Sequence, residues 1–176
     1  MKLSTKMKAG ATAVAGSAVA ASGASALTST FTVAIEFFDP FTITEAVPAD
    51  FGRVISGVAT TYSLDTANSV TAGAGGSSTG GTPATGSYTI ADASTGGAVD
   101  VTVNNPTTDG GVTITAFNCQ WNGVTALNGA TCAYNAVANP AAAGQTLLVG
   151  FDITVDGSQA SLDVANPGFD VTVAYD

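Results

Sequence analysis

The chain has 176 residues, a formal net charge of −9 and no histidine, and only 10% of its residues are charged. This length suits one domain. The negative charge disfavours nucleic acid and anionic lipid as partners, and the missing histidine removes the commonest general base and metal ligand. Catalytic sites of the Ser-His-Asp and Cys-His types are excluded, so we expect neither enzyme activity nor a cofactor.

The first 26 residues have the features of an export signal. Three lysines make a basic start, residues 9–21 form an alanine-rich apolar stretch, and Ala24-Ser25-Ala26 fits the small-residue cleavage pattern. The alternative is an alanine-rich tail. The stretch is too short to span a bilayer, so we predict export without a membrane span. Cleavage after Ala26 leaves Arg53 as the only basic side chain.

Segment 27–39 follows the predicted cleavage site and contains a strictly alternating stretch. Four large apolar residues share one face of it: Phe31, Val33, Ile35 and Phe37. Alternation with a period of two is typical of a half-buried strand. Pro40 cannot donate a ladder hydrogen bond and restricts Asp39, so this strand ends before Pro40. We therefore expect a strand segment at 27–39, followed by a domain at 40–176.

The domain begins with a second alternating strand, in which Phe41, Ile43 and Glu45 share a face. A turn follows, with Phe51 facing the core, and residues 72–87 form a loop of Gly, Ser and Thr. Turn signals separate the other predicted strands. These strands are residues 53–64 with a bulge or bend at Gly57, 68–71, 88–91, 98–103, 111–121, 146–155, 161–164 and 169–175.

The strand at 111–121 is predicted to alternate without interruption. One face would carry Val112, Ile114, Ala116 and Asn118, and the other Thr113, Thr115, Phe117 and Cys119. Two Asn-Gly pairs follow, at 122–123 and 128–129, and both are hairpin-turn signals. A further turn at 94–97 would join the strands at 88–91 and 98–103. Short strands at this spacing, without an amphipathic helix, predict an all-β antiparallel sandwich.

The only cysteines, Cys119 and Cys132, read as a disulfide because an even pair in an exported chain favours one. Closing a loop of this length is worth about 3 kcal/mol in the chain-entropy model. The alternative is two reactive thiols, for which the chain offers no neighbouring histidine or lysine. We expect the disulfide to staple a hairpin or lobe at one end of the sandwich.

Both ends of the predicted mature chain resemble a bacterial envelope family known as domain of unknown function 4402. The resemblance rests on Phe41-Thr42-Ile43-Thr44, on Asp50-Phe51-Gly52 and on the final strand with Val171, Val173 and Tyr175. It implies an exported, immunoglobulin-like β-sandwich of the bacterial cell surface and no enzyme activity. The middle of the chain does not contribute to it.

The architecture also resembles fimbrial subunits, including those of the spore coat protein U type. Such subunits complete each other's fold with a donated N-terminal strand, and Phe31 to Phe37 have the spacing of a donor strand. The final alternating residues Phe169, Val171, Val173 and Tyr175 resemble the strand that fimbrial subunits present to a periplasmic chaperone. The glycine that usually precedes that tyrosine is not at the usual spacing, since the nearest glycines are Gly157 and Gly168.

Other binding or catalytic chemistry has weaker support in the sequence. Asp152 and Asp156, on one strand face, are weak calcium candidates, although the chain has no EF-hand loop. Trp121 and Tyr134 could stack on a sugar or pack in the core. Two carboxylates can hydrolyse a glycoside, but nothing singles out a pair among the thirteen acids.

The sequence therefore favours a secreted structural subunit that polymerises by strand donation over a monomeric binding module. Burying four large apolar side chains is worth about 6–12 kcal/mol before entropy costs. The expected partners are copies of the same chain, with a periplasmic chaperone and an outer-membrane assembly protein implied by the fimbrial resemblance. The alternation alone leaves open whether the first strand is donated or kept in its own sheet.

Overall fold

The structure is a computed structural model that describes residues 40–92, 97–138, 140 and 142–176. The predicted signal segment 1–26 and the alternating residues Phe31, Val33, Ile35 and Phe37 lie outside the described residues. So does most of the turn expected at 94–97. These interpretations stay predictions.

The described residues form thirteen β-strands and no helix, and every strand pairing is antiparallel. The all-β antiparallel class predicted from the alternating pattern is therefore confirmed. The strands are β1 Thr42–Val47, β2 Arg53–Val54, β3 Ala59–Leu64, β4 Val70–Ala72, β5 Ser78–Gly80, β6 Gly86–Ala91, β7 Ala98–Asn104, β8 Thr108–Asp109, β9 Val112–Trp121, β10 Thr125–Gly129, β11 Cys132–Ala138, β12 Gln145–Asp156 and β13 Asp170–Tyr175.

A large sheet is built around β12, the longest strand. β9 runs along one side of β12, whereas the other side pairs first with β6 and then with β3. β1 extends this sheet beyond β6, β4 extends it beyond β3, and β8 and β10 pair with β9. A second sheet has the order β11-β7-β13, and β2 and β5 form a short separate ribbon.

The inward faces of the two larger sheets pack on each other and form one core. Val99, Val101 and Val103 of β7 are fully buried at alternate positions, and the residues between them are half-buried. From the large sheet, Leu147 and Val149 of β12 are fully buried in the same cluster. Burying such side chains is worth about 1.5–3 kcal/mol each, so this alternation makes the two sheets stack face to face.

The Cys119–Cys132 disulfide is confirmed, with a Cα–Cα distance of 6.3 Å. Contrary to expectation, it does not close a hairpin. Cys119 lies in β9 of the large sheet and Cys132 lies in β11 of the small one, and both are fully buried. The bond therefore joins the two sheets through the core.

The uninterrupted alternation expected along β9 is also wrong. The register with β12 shifts between Ile114 and Ala116, so a β-bulge at Thr115 inserts one residue and reverses the faces beyond it. Phe117 and Cys119 consequently join Ile114 on the buried face, while Thr115 is exposed. Because of the bulge, β9 buries even-numbered residues before Thr115 and odd-numbered residues after it.

Only one of the two Asn-Gly pairs forms a hairpin turn. Asn122 and Gly123 have φ angles of 47° and 72°, and Val124 N–H donates to the Trp121 carbonyl at 3.0 Å between β9 and β10. The expected turn at Asn128-Gly129 is wrong, because these residues are paired within the β10–β9 ladder. The chain instead crosses to the other sheet after β10.

Three other strand predictions are corrected by the sheet topology. The strand expected at 53–64 is split at Gly57, which has a φ of 70°, into β2 and β3. The loop expected at 72–87 contains β5, which pairs with β2. The strands expected on either side of residues 94–97 do not pair, since β6 and β7 belong to different sheets.

No strand forms at 161–164. There the backbone turns, and Leu162 has a φ of 76° that is incompatible with an extended chain. Leu162 and Val164 are the most exposed of the large apolar side chains outside the hairpin turns, at 93% and 79%. This segment is therefore a loop that leads from β12 to β13.

Candidate functional site

Two sheet edges lie open on the same side of the sandwich. Among the described residues, β1 pairs only with β6, and β13 pairs only with β7. All six residues of β1 are exposed, including Ile43 and Val47 at 41% each. An exposed edge strand with large apolar side chains is a site where another strand can add.

A groove of about 520 Å³ lies between these edges. Ile43 and Glu45 of β1 line one wall, Phe169 and Val171 line the other, and Tyr88 of β6 also contributes. Ile43 and Glu45 share a face, as the alternation predicts. Apart from the Glu45 carboxyl and the Tyr88 hydroxyl, the side chains that line the groove are apolar.

The two walls run antiparallel to each other. At one end, the ring of Phe41, just before β1, lies 4.4 Å from the ring of Tyr175 at the end of β13. At the other end, Pro48 after β1 and Pro167 before β13 both line the groove. The groove extends from Ile43 to Ala49 on one wall and from Pro167 to Val171 on the other.

The floor of the groove is an aromatic cluster that continues into the core. The ring of Phe169 contacts the rings of Tyr88, Phe117 and Phe151, with centroid distances of 6.0, 5.6 and 5.9 Å. Edge-to-face and tilted contacts at these distances are favourable beyond the area they bury. A strand in the groove would consequently pack on a preformed apolar surface.

Hydrogen bonds hold the β13 wall in place. Thr107 N–H donates to the Gly168 carbonyl at 2.8 Å, and Gly168 N–H donates back to the Thr107 hydroxyl at 2.6 Å. One residue into β13, Asn105 Nδ2 donates to Asp170 at 2.8 Å. The loop between β7 and β8 therefore fixes the start of the last strand.

The β1 wall is fixed at its C-terminal end by a bridge of two backbone hydrogen bonds. Asp50 N–H donates to the Ala84 carbonyl at 2.7 Å, and Ala84 N–H donates to the Asp50 carbonyl at 2.8 Å. The Phe51 ring then packs edge-on against Phe151, 5.2 Å away, and Phe51 faces the core as expected. Both walls are thus anchored outside the groove itself.

Glu45 and Tyr88 are the titratable groups of the groove lining. The Tyr88 hydroxyl donates to Glu45 Oε1 at 3.3 Å. Burial, reinforced by the negative charge of Glu45 and this hydrogen bond, raises the pKa of Tyr88 to about 12. Tyr88 therefore remains a neutral hydrogen-bond donor throughout the neutral and acidic range.

A buried carboxyl group lies beside Tyr175. Asp92 is 1% exposed and accepts a hydrogen bond from the Tyr175 hydroxyl at 2.7 Å. Because a buried polar group is costly without a partner, this contact ties the end of β13 to the end of β6. It fixes the Tyr175 ring where Phe41 packs against it.

The structure places Val171, Val173 and Tyr175 on one half-buried face of β13, and Phe169 precedes them on the same side. The predicted strand residues Phe31, Val33, Ile35 and Phe37 lie outside the described residues. Sequence reasoning missed Tyr88 as a groove residue. Its only signal was its place in the apolar face of a short strand, which does not reveal what lies opposite.

The weak calcium candidates are held by hydrogen bonds within their own surroundings. Asp152 Oδ1 accepts from Asn118 Nδ2 at 3.0 Å, and the Ser158 and Gln159 groups that donate to Asp156 lower the pKa of its carboxyl. Within the described part of the chain, no three His, Cys, Asp or Glu side chains cluster as a metal site requires. These aspartates therefore gain no support as ligands.

The suggested sugar-stacking pair is a packing pair. Trp121 is 7% exposed and Tyr134 is 4% exposed, and their ring centroids lie 6.3 Å apart between the two sheets. Neither ring has a free face large enough for a sugar, because both belong to the core cluster. Of the two roles considered from the sequence, core packing is the one the structure supports.

The fold and the groove together define an antiparallel β protein in which a disulfide joins two packed sheets. Within the described residues, each of these sheets has one open edge beside the groove. Comparison with protein-family models, curated proteins and solved structures finds no match to this chain. Across residues 40–92, 97–138, 140 and 142–176, no helix is long and apolar enough to cross a membrane.

Proposed function

We propose that the chain is a secreted structural subunit of a bacterial surface filament. In this proposal, residues 31–37 of one copy occupy the groove between β1 and β13 of the next. The observation that carries the proposal is the groove between β1 and β13, two edges that no further described strand pairs, with the groove residue Ile43 of β1 41% exposed. A strand added there satisfies backbone groups and covers apolar surface at once.

The length of the predicted strand suits the two edge strands. β1 and β13 have six residues each, which corresponds to about 20 Å at a rise of about 3.3 Å per residue. Residues 31–37 span about the same length when extended. The side chains of Phe31, Val33, Ile35 and Phe37 all point to one face of such a strand, which matches the apolar lining.

The connection between the strand and β1 favours a second copy as the acceptor. Folding 31–37 back onto the edge of β1 requires a tight reversal near Asp39-Pro40, and tight hairpin turns need residues with positive φ. Pro40 has its φ fixed near −65°, and it drives the preceding residue towards an extended conformation. The segment is therefore better suited to leave its own domain than to turn back.

The contact is directional, so it can repeat. The donor segment lies before β1 and the acceptor groove lies beside it, which makes the interface head-to-tail. Such an interface produces an open fibre when the rotation between copies does not close a ring. The surface of the chain, poor in charge, is also compatible with packing against further copies.

The resemblance to the family known as domain of unknown function 4402 and to fimbrial subunits supports the same role. In this proposal the filament lies on the bacterial cell surface, after export directed by residues 1–26. A periplasmic chaperone that covers the groove next to β13, and an outer-membrane assembly protein, are the partners that such a pathway needs. An immunoglobulin-like, pilin-like arrangement of the sandwich is part of this proposal.

Ile35→Asp tests the donor strand. A carboxylate at this position would have to enter an apolar groove, and the lost burial alone is worth about 1.5–3 kcal/mol. We expect filament formation to require at least about tenfold more protein, since about 1.4 kcal/mol corresponds to a factor of ten. Negative-stain microscopy and sedimentation of the purified chain measure this.

Ala34→Asp is the matched control, because it adds the same charge to the opposite face of the same strand. We expect it to assemble as the unmodified chain does. Compact single particles of the unmodified protein at all concentrations would contradict the proposal. Unfolding of the domain after deletion of residues 27–39 would also contradict it, and would favour a monomeric binding module that keeps the strand in its own sheet.

A further inference from the structure

We infer that Glu45 makes filament assembly proton-linked, so that the groove takes up one proton when the donor strand enters. The inference rests on the proposed function, because the occupant is the segment 31–37 of a second copy. Glu45 thereby determines the pH range in which the donor strand can fill the groove.

Glu45 lies where an inserted strand would cover it. It lies in the middle of β1, on the same face as Ile43, and its Cα is paired with that of Tyr88. It lines the groove together with Phe169 and Val171. The side chain is exposed in the described structure, and a strand between β1 and β13 would cover it.

The proposed occupant has no charge to offer this carboxylate. Residues 31–37 contain no basic side chain, and their only charged residue, Glu36, is acidic and lies opposite the apolar face. After Lys8 the single basic residue of the chain is Arg53, which is in β2 of the separate ribbon. A second copy therefore cannot supply an ion pair from its donor strand.

The groups around Glu45 in its own copy do not compensate either. Tyr88 faces it from β6 and supplies one hydrogen bond. From the other wall the lining residues are Pro167, Gly168, Phe169 and Val171, none of which titrates. Asp170 lies between them but alternates away from the groove, where Asn105 donates to it. Tyr88 stays neutral at neutral and acidic pH because its pKa is about 12.

Strand insertion consequently moves a carboxylate from water into an apolar site with one neutral donor. Keeping the charge there is costly, and a covered carboxyl binds a proton instead. Protonation also lets the carboxyl donate a hydrogen bond of its own. The association constant for strand insertion then decreases as the pH rises. The decrease is about tenfold per pH unit over the range in which the free carboxyl is ionised and the covered carboxyl is protonated.

The test is the concentration needed for assembly of the full exported chain, measured by sedimentation between about pH 4.5 and pH 7.5. We expect this concentration to increase with pH in the unmodified chain, with a limiting slope of about tenfold per unit. Glu45→Gln keeps the size and the hydrogen-bonding ability of the side chain and removes its charge. In this variant we expect the concentration needed for assembly to be independent of pH, so that its value at pH 7.5 equals its value in acid.

Asp176→Asn is the control for general charge repulsion, because it removes one exposed carboxylate outside the groove lining. It should keep the slope of the unmodified chain. If Glu45→Gln also keeps that slope, the inference is wrong while the filament proposal stands. Assembly that strengthens with rising pH would overturn the inference in favour of an occupant with a cationic side chain. Failure to assemble at every pH would overturn both.

Discussion

Replacing Phe117 by alanine is expected to lower the free energy of unfolding by about 3–5 kcal/mol, the usual range for a buried phenylalanine. Phe117 is fully buried in β9, and its ring contacts Phe169 at a centroid distance of 5.6 Å. The substitution therefore leaves a cavity directly beneath the floor of the groove. Urea unfolding followed by circular dichroism measures the change.

Thr115→Ala is the control on the same strand. Thr115 is the exposed residue of the bulge itself, and its hydroxyl makes only a long, exposed hydrogen bond of 3.3 Å to the Asp152 carbonyl, so we expect a change within about 0.5 kcal/mol. Uninterrupted alternation would place Thr115 and Phe117 on the same face. Similar losses of stability for the two variants would therefore contradict the bulge.

Removing the disulfide with the double substitution Cys119→Ala and Cys132→Ala is expected to cost about 3 kcal/mol in the chain-entropy model. The bond closes a loop with a sequence separation of 13. Its two sulfurs lie between the sheets, in fully buried residues, so their replacement also loosens the packing of β9 on β11. Urea unfolding of the variant against the oxidised chain measures the loss.

Reduction of the unmodified chain provides the control, because it breaks the same bond without changing the sequence. We expect reducing agent to act slowly on the folded protein and quickly in urea, since the native bond is inaccessible. The reduced chain and the double variant should have comparable stability. A loss well below about 1 kcal/mol would mean that the bond contributes little to joining the sheets.

The alternating pattern was sufficient to predict the strands that border the groove. Ile43 and Glu45 of β1 share a face, and so do Val171, Val173 and Tyr175 of β13, because the period of two is uninterrupted between these residues. Each of these faces depends only on local sequence. The pairing of Cys119 with Cys132 was also predictable, since no other cysteine exists.

The other features, namely the sheet crossover, the bulge and the groove, depend on which strands are neighbours in the folded chain. β6 and β7 are close in sequence but enter different sheets, and nothing local distinguishes such a crossover from a hairpin. The bulge at Thr115 depends on the register with β12, which begins about thirty residues further along the chain. The groove itself combines Tyr88 with Phe169, so its existence follows from topology rather than from any one segment.

Cross-linking of engineered cysteines tests the central claim most directly, namely that residues 31–37 of one copy fill the groove of another. Val171→Cys is combined with Val33→Cys, Ile35→Cys or Phe37→Cys in turn, which samples the possible registers, while the buried native disulfide stays in place. We predict that at least one pair gives a ladder of covalent oligomers on non-reducing gels, and that a mixture of the corresponding single variants gives only dimers. An intramolecular cross-link that forms at every dilution, without covalent oligomers, would show that the strand fills its own groove. That result would contradict the filament account.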